Sequence, residues 1–489
     1  MAAKKQKPKT AQTKKSNFNI EENKFFVPII FVIILLALVM MFSDFIFSDK
    51  MLSGSDTIQA GIYFRSMLVD NVHQTGSVPL WNPHIFGGMP YVEAFHGDIF
   101  YPLSFIKFFG PIHRTLGFVL IFHIFLAGLF MYFCARQFKL LKIPSLFAAV
   151  SYMFAAYLVS LVAPGHDGKI FVTTLFPLVI LFLDRGFNAE TFIKSFFNYS
   201  VLGLVIGFII LSPHIQMMYF SMWALSFYAL MKLISNYLNT KSLPQFLTKG
   251  ALTAYAVVIG VALSAIQFLP GYIYTNQFSP RGDTKQGWEW ATSWSMHEEE
   301  AMSLLIPEFS GVSATNPDYQ RKTYYWGKNV FKDNSESVSV VALFIALLAL
   351  FIVRKKEAYF FGGLALFAFI YALGATTPLF KIFFYLIPKV KSLRAPSMIM
   401  FLFSFSISLL AAMGIQKLIA DGKSLKDKIA QRFNYILIGF PALLLFIALL
   451  FGFGGEGMLS TWSSLFYSDA TTTQVQQGFT KFDVAKLNL

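Results

Sequence analysis

The feature that most constrains this chain is a series of uncharged apolar runs, most of roughly 17–23 residues, separated by short polar segments. At 1.5 Å of rise per residue, each run is long enough as a helix to cross about 30 Å of hydrocarbon. The first is FFVPIIFVIILLALVMMF at 25–42. Others lie near 115–136, 143–163, 170–184, 196–212, 215–231, 250–270, 338–353, 358–373, 396–416 and 434–452. The expected fold is therefore an all-α polytopic membrane bundle of about 11 transmembrane helices. The run at 170–184 is short for a span, and 378–388 reads as a re-entrant or interfacial helix. Composition agrees: 55% of the 489 residues are hydrophobic, only 13% are charged, and mean hydropathy is +0.57.

Charge gives an independent test of the register. An alternating assignment that starts inside gathers Lys and Arg on alternate segments. The segments 1–24, 136–142, 184–195, 232–249, 354–357 and 417–432 hold 23 Lys/Arg against 7 Asp/Glu, and the rest of the chain holds 17 against 19. This asymmetry assigns those segments to the cytoplasm and explains the net charge of +14 without nucleic acid, because the basic residues lie between apolar runs rather than along one face. Residues 1–24, with KKQKPKTAQTKK, read as a disordered basic cytoplasmic tail. Residues 25–453 form the bundle, with long outer loops at 48–113 and 271–336, and 454–489 form an outer tail. The run at 25–42 is too long for a signal-peptide core and lacks a cleavage site, so it is retained as an anchor. Localisation follows as multi-pass in a membrane, with the N-terminus in the cytoplasm. Cys134 is the one cysteine, which excludes an intrachain disulfide and a Cys-based zinc site.

Acids and histidines crowd the first outer loop, where Asp56, Asp70, Glu93 and Asp98 accompany His73, His84, His96 and His113. Seven of the eight histidines fall on the outer side in this register, where polar residues of any kind are also most easily housed. Several ordered motifs mark this half of the molecule: GSDTIQ, WNPHIFGGMPYVEAFHGDIFYP, LLIPEFSG, LGATTPLF and LRAPS. In order and spacing, over about residues 50–400, they resemble the YfhO-like bacterial membrane proteins, a family similar to the GT-C superfamily of integral-membrane glycosyltransferases. The resemblance implies a GT-C-like bundle with helical extracytoplasmic loops. It implies transfer of a sugar from a polyprenyl-phosphate carrier on the extracytoplasmic side, with an essential acid in the first outer loop. One departure from that pattern is that proteins of this type often continue with further spans and an outer domain, whereas this sequence stops at Leu489. The partners would be membrane lipid, a polyprenyl-phosphate-linked sugar donor and an extracytoplasmic acceptor.

Asp56 is the residue best matched to that acid. One reading makes it a general base that deprotonates the acceptor hydroxyl; another makes it the N-cap of the helix TIQAGIYFRSMLVDNV. Asp98 is the second catalytic candidate: it would orient the acceptor, hold a divalent cation with Asp56, or only begin a turn. His96 and His84 could join these acids at a borderline metal site, or cap loops. Gly87 and Gly88 permit positive φ in a turn, and Trp81 could stack on a sugar ring or serve as an interfacial aromatic.

Cations for a carrier phosphate come from elsewhere. Between 374 and 397 lie Lys381, Lys389, Lys391 and Arg394 with no acid, on the side where positive charge should be scarce. Arg394 and Lys391 are the candidate phosphate ligands, with ordinary anionic headgroups as the alternative. Lys169 in APGHDGK could reach the phosphate with Asp167 paired to it, or the turn could be an ordinary helix connection, and Arg281 and Glu298 could contact acceptor or sugar. The run His297–Glu300 otherwise reads as a solvated helix start. The glycine string from Gly452 to Gly457 follows an apolar helix rather than a strand, so it carries no dinucleotide signal. The rival functions are a transporter or flippase, which needs ionisable groups at mid-membrane, and a non-catalytic envelope-assembly subunit. The enzyme reading requires Asp56 and Arg394 to share one cavity.

Overall fold

The computed structural model describes residues 20–279, 287–307, 309–311 and 325–421, with scattered positions between 435 and 465. The tail up to residue 19, Arg281, much of the run at 434–452 and most of the segment 454–489 lie outside the described residues.

The helices are α1 (Phe26–Met41), α2 (Ile62–Thr75), α3 (Ile112–Gln137), α4 (Lys142–Ser160, interrupted at Phe154), α5 (Asp167–Asn188), α6 (Phe192–Leu211), α7 (Ile215–Thr240) and α8 (Leu243–Gln277). Within the second long loop lies α9 (Glu298–Met302), and after it come α10 (Val340–Ile352), α11 (Lys356–Ala372) and α12 (Pro396–Ala420, whose first turn is 3₁₀). Among the described residues, seven helices are long and apolar enough to cross a membrane: α3 to α8 and α12. This is a multi-pass helical membrane fold, and seven of the eleven expected spans are of full spanning length among the described residues. The runs at 25–42 and 338–353 become helices of only 16 and 13 residues. The short run at 170–184 instead grows to a 22-residue helix, because Asp167, Lys169 and Asp184 find partners and are drawn into its ends. The run 378–388 contains the seven-residue helix Phe380–Leu386.

Two helices form the centre. The apolar stretches of α5 and α12 are 83% and 89% buried, against 28% for α8, which sits at the rim. Between them, the Phe176 ring of α5 stands edge-on to Phe401 of α12 at 5.4 Å and to Phe405 at 4.9 Å. Packing rather than water exclusion holds apolar helices together in lipid, so close approach matters. At the rim, Gly203 of α6 faces Ala256 and Ile259 of α8 so closely that a Cβ there would lie 2.9 Å from the Ala256 carbonyl oxygen.

The loop after α1 carries its own small core. The helix α2 buries Phe64 and Leu68 against Tyr91, Val92 and Ile99. Its C-terminus closes on Gly76 in the left-handed region. A two-residue antiparallel hairpin, β1 (Trp81–Asn82) with β2 (Met89–Pro90), pairs Trp81 with Pro90. The expectation of positive φ at Gly87 and Gly88 holds, at +75° and +115°, and serves this hairpin turn. Both α5 and α12 begin at the end of the bundle where this loop lies, and residues at their starts line one cleft there.

Candidate functional site

The contact that builds the site is between two glycine-containing turns. The Asp56 amide donates to the Pro164 carbonyl at 3.0 Å. A methyl group on Gly54 would overlap the Pro164 carbonyl carbon, and one on Gly165 would overlap the Thr57 hydroxyl. Glycine at both positions therefore lets the first long loop lie flat on the turn between α4 and α5. Asp56 itself has helical φ and ψ and makes no side-chain cap. It sits in the first turn of a helix that continues through a π turn at Thr57–Gly61 into α2, so the N-cap reading is corrected. Its carboxylate is free to turn toward α5.

There it meets His166. Asp56 Oδ2 lies 3.1 Å from His166 Nε2, and Lys169 Nζ lies 3.0 Å from His166 Nδ1. An ammonium can only donate, so Nδ1 accepts and the ring proton sits on Nε2, pointing at Asp56. Burial and then the neighbouring Lys169 charge lower the His166 pKa, which keeps the ring neutral at physiological pH. The hydrogen bond from His166 lowers the pKa of Asp56, aided by the charges of Lys169 and Arg394, so Asp56 is ionised. Its side chain is nonetheless 59% exposed, into a cleft of about 200 Å³.

Five stretches of chain line that cleft. Ser55 and Asp56 come from the first loop, and His166 and Lys169 from the start of α5. Trp294, the stretch Phe331–Asn334, and Arg394 with the residues opening α12 close it. Arg394 is set by its surroundings: its guanidinium lies 5.0 Å from the Trp290 ring and 5.7 Å from that of Trp294. Its backbone amide and carbonyl both bond the Gln216 side chain, the amide at 3.4 Å. Two lining residues other than glycine, Trp294 at φ +52° and Ala395 at φ +51°, adopt the left-handed conformation. Ala395 also donates its amide to Ser293 at 2.9 Å. Strained backbone of this kind persists where the surroundings fix it, and it clusters at binding sites.

Behind the cleft lies a buried ion cluster that the sequence reading did not find. Lys332 places its ammonium 2.6 Å from Glu336 and 3.5 Å from Glu300. Glu300 also accepts from Tyr325 and from Asn329, both at 2.8 Å. His297–Glu300 is a helix start, as one reading held, with a capping box. It is not solvated, since Glu299 and Glu300 are at most 1% exposed.

Of the residues singled out in the sequence, Asp56, Lys169 and Arg394 line one cleft. Asp98 does not. It is 1% exposed, with Oδ1 accepting from Arg65 Nε at 2.6 Å and lying 3.4 Å from the Lys107 ammonium. A cation shared by Asp56 and Asp98 does not fit that arrangement. Among the described residues, no three His, Cys, Asp or Glu side chains gather in a metal-binding group. Asp167 pairs with Arg65 rather than with Lys169, which bonds His166. Trp81 packs on Gly88 in the hairpin, and His96 stacks on Phe64 at 4.5 Å. Lys391 lies over the Phe384 and Tyr385 rings at about 5.5 Å, and Glu298 pairs with Lys328 at 2.9 Å. None of these four lines the cleft.

Asp333 and Trp294 are cleft residues that sequence reasoning missed. The signal available for them was weak: a polar stretch KDNSES before an apolar run, and a tryptophan-rich WEWATSW. A scan against protein-family models finds no match to the chain, and no curated protein matches it.

Proposed function

We propose that this chain is an integral-membrane glycosyltransferase of GT-C type, similar to the YfhO-like proteins, that moves a sugar from a polyprenyl-phosphate carrier to an extracytoplasmic acceptor. In this reading the bundle has about eleven spans in a bacterial inner membrane, with the N-terminus in the cytoplasm and the cleft on the outer side. One observation carries it: a carboxylate from the start of the chain and cations from α5 and from the approach to α12 face a common cleft.

The chemistry follows from the charges. The donor phosphate lies against Arg394 and Lys169, which stabilise the negative charge that grows on it as the bond to the anomeric carbon breaks. The acceptor oxygen attacks that carbon from the opposite face, and the configuration inverts. The hydroxyl proton passes to Asp56, because the hydroxyl becomes strongly acidic only as the new C–O bond forms. The phosphate leaves with the bonding electron pair and needs no proton, so a single base suffices, in contrast to glycoside hydrolysis with its two carboxylates. His166 holds the Asp56 carboxylate in position, and Lys169 holds His166 in the tautomer that does so.

A solute pathway is the less favoured reading. The buried pair Asp184–Lys232, which lies inside spanning helices, is closed on itself at 2.9 Å rather than lining a route. The test uses purified protein in liposomes with radiolabelled polyprenyl-phosphate sugar and an acceptor extract. Wild type should form product, and Asp56→Asn should lose about 10²–10⁴ of the rate with unchanged expression and melting temperature. Product formation by Asp56→Asn at the wild-type rate would remove the base assignment. Donor moved across the bilayer without product would favour transport.

A further inference from the structure

Asp333 lines the same cleft as Asp56 from a different stretch of chain, and it has an unmet hydrogen-bonding capacity. Its Oδ1 is buried and has no hydrogen-bond partner among the described residues. A buried carboxylate oxygen without a donor is costly, and such an atom in a native protein calls for a cause. Burial, then the charge of Asp56, raises the Asp333 pKa, which is the electrostatic expression of that cost. Two residues earlier, Phe331 lines the same cleft, with its ring centroid 5.6 Å from that of Trp294. The wall thus combines aromatic C–H and π surface with a carboxylate-bearing residue that lines the cleft.

We propose that Phe331, Asp333 and Trp294 form a subsite for a neutral pyranose, in which Asp333 accepts hydrogen bonds from adjacent ring hydroxyls and the two aromatic rings lie against the sugar's C–H face. This rests on the reading of the cleft as a carrier-phosphate site, and it names the sugar class that the carrier brings. Aromatic rings suit the apolar faces of a pyranose, and a carboxylate suits its hydroxyls, which donate as well as accept. An anionic sugar is disfavoured, because the phosphate takes Arg394 and Lys169 in this reading and Lys332 is paired with Glu336 and Glu300, which leaves Asp56 and Asp333 to repel a further carboxylate. The cleft volume of about 200 Å³ falls below the roughly 300–1,000 Å³ of pockets for drug-sized ligands, which suits one ring rather than a nucleotide sugar.

The experiment measures binding rather than transfer. The full chain in nanodiscs is titrated, by tryptophan fluorescence, with bare polyprenyl phosphate, with polyprenyl phosphoglucose and with its glucuronate counterpart. For wild type, glucose should tighten binding roughly tenfold over the bare carrier, the scale of hydrogen bonds to a charged group. Glucuronate should add nothing. Asp333→Ala should lose the glucose increment, and Asp333→Asn should keep part of it, while both bind the bare carrier as wild type does, which also shows that they are folded. The subsite is overturned if the increment survives in Asp333→Ala, if glucuronate binds as tightly as glucose, or if wild type binds the bare carrier with no glucose increment. No binding of the bare carrier to wild type would overturn the carrier-phosphate reading as well.

Discussion

Two knots of charge sit toward opposite ends of α5, about 25 Å apart at 1.5 Å per residue, and they differ in how much hydrogen-bonding capacity they leave unspent. At the far end, Asp184 is 3% exposed and fully engaged. Its Oδ1 meets Lys232 at 2.9 Å and Tyr228 at 2.8 Å, and its Oδ2 accepts from Gln137 at 2.8 Å and Asn188 at 2.6 Å. At the near end, Asp56 holds one histidine and turns the rest of its carboxylate into a cleft, and Asp333 keeps an oxygen with no donor. A closed knot ties α3, α5 and α7 together. An open one retains the capacity to take a ligand. Residue type alone does not distinguish the two, since both contain an acid, a lysine and neutral polar groups.

The comparison breaks if the closed knot turns out to be dispensable for folding. Asp184→Ala leaves the Lys232 ammonium buried without its counter-charge, and breaking a buried pair from one side costs about 3–5 kcal/mol. Thermal unfolding in detergent should show that loss, while the rate per folded molecule stays near wild type. Asp56→Asn should do the reverse, leaving melting unchanged and removing the rate.

Asp98 sharpens the same contrast, because it lies in the loop that also carries Asp56 and belongs with the closed kind. Despite the cost of burial, the Arg65 guanidinium and then the Lys107 ammonium hold its carboxyl well below the usual range. A folded-state pKa below the unfolded value of about 3.9 gives stability that is complete above that value and is lost as pH falls below it. Asp98→Asn should therefore cost about 2–3 kcal/mol at pH 5–8. Its deficit against wild type should shrink as the pH drops through about 4 and below, since the Asn has no proton to take up. A gap that stays constant down to pH 3 would mean that the Arg65–Asp98 pair contributes little.

The helical membrane class was legible because apolar runs of spanning length have few alternatives. Helix ends were less so. The run at 170–184 reads as short because hydropathy stops at charged residues, whereas Asp167, Lys169 and Asp184 are carried into α5 by Arg65, His166 and Lys232. At the site, Asp56, Lys169 and Arg394 were legible as charges out of place in an apolar chain. Asp98 looked equivalent to Asp56 because its partner Arg65 lies 33 residues away and only the folded loop brings them together. Asp333 and Trp294 carry no local pattern, and their importance arises from long-range contact with Asp56 and Arg394. The three-glutamate run misled for a related reason: Lys332 and Tyr325, which make its burial tolerable, are about 30 residues distant in sequence.

The smallest expected effect separates a cation in the cleft from one outside it. Arg394 and Lys391 are three residues apart and carry the same charge, so a merely anionic-lipid role would make them equivalent. Of the two only Arg394 lines the cleft, with its backbone bonded by Gln216 and its planar group lying over the rings of Trp290 and Trp294. Arg394→Lys keeps the charge and loses the two-pronged donor and the stacking. The KM for the carrier-linked donor should rise roughly tenfold, with kcat within a few-fold, because a point charge still meets the phosphate. Lys391→Ala, which removes a charge lying over Phe384 and Tyr385, should change neither constant by more than about twofold. If the two substitutions shift KM equally, the cation is acting through the membrane surface, and the open knot has no phosphate of its own to hold.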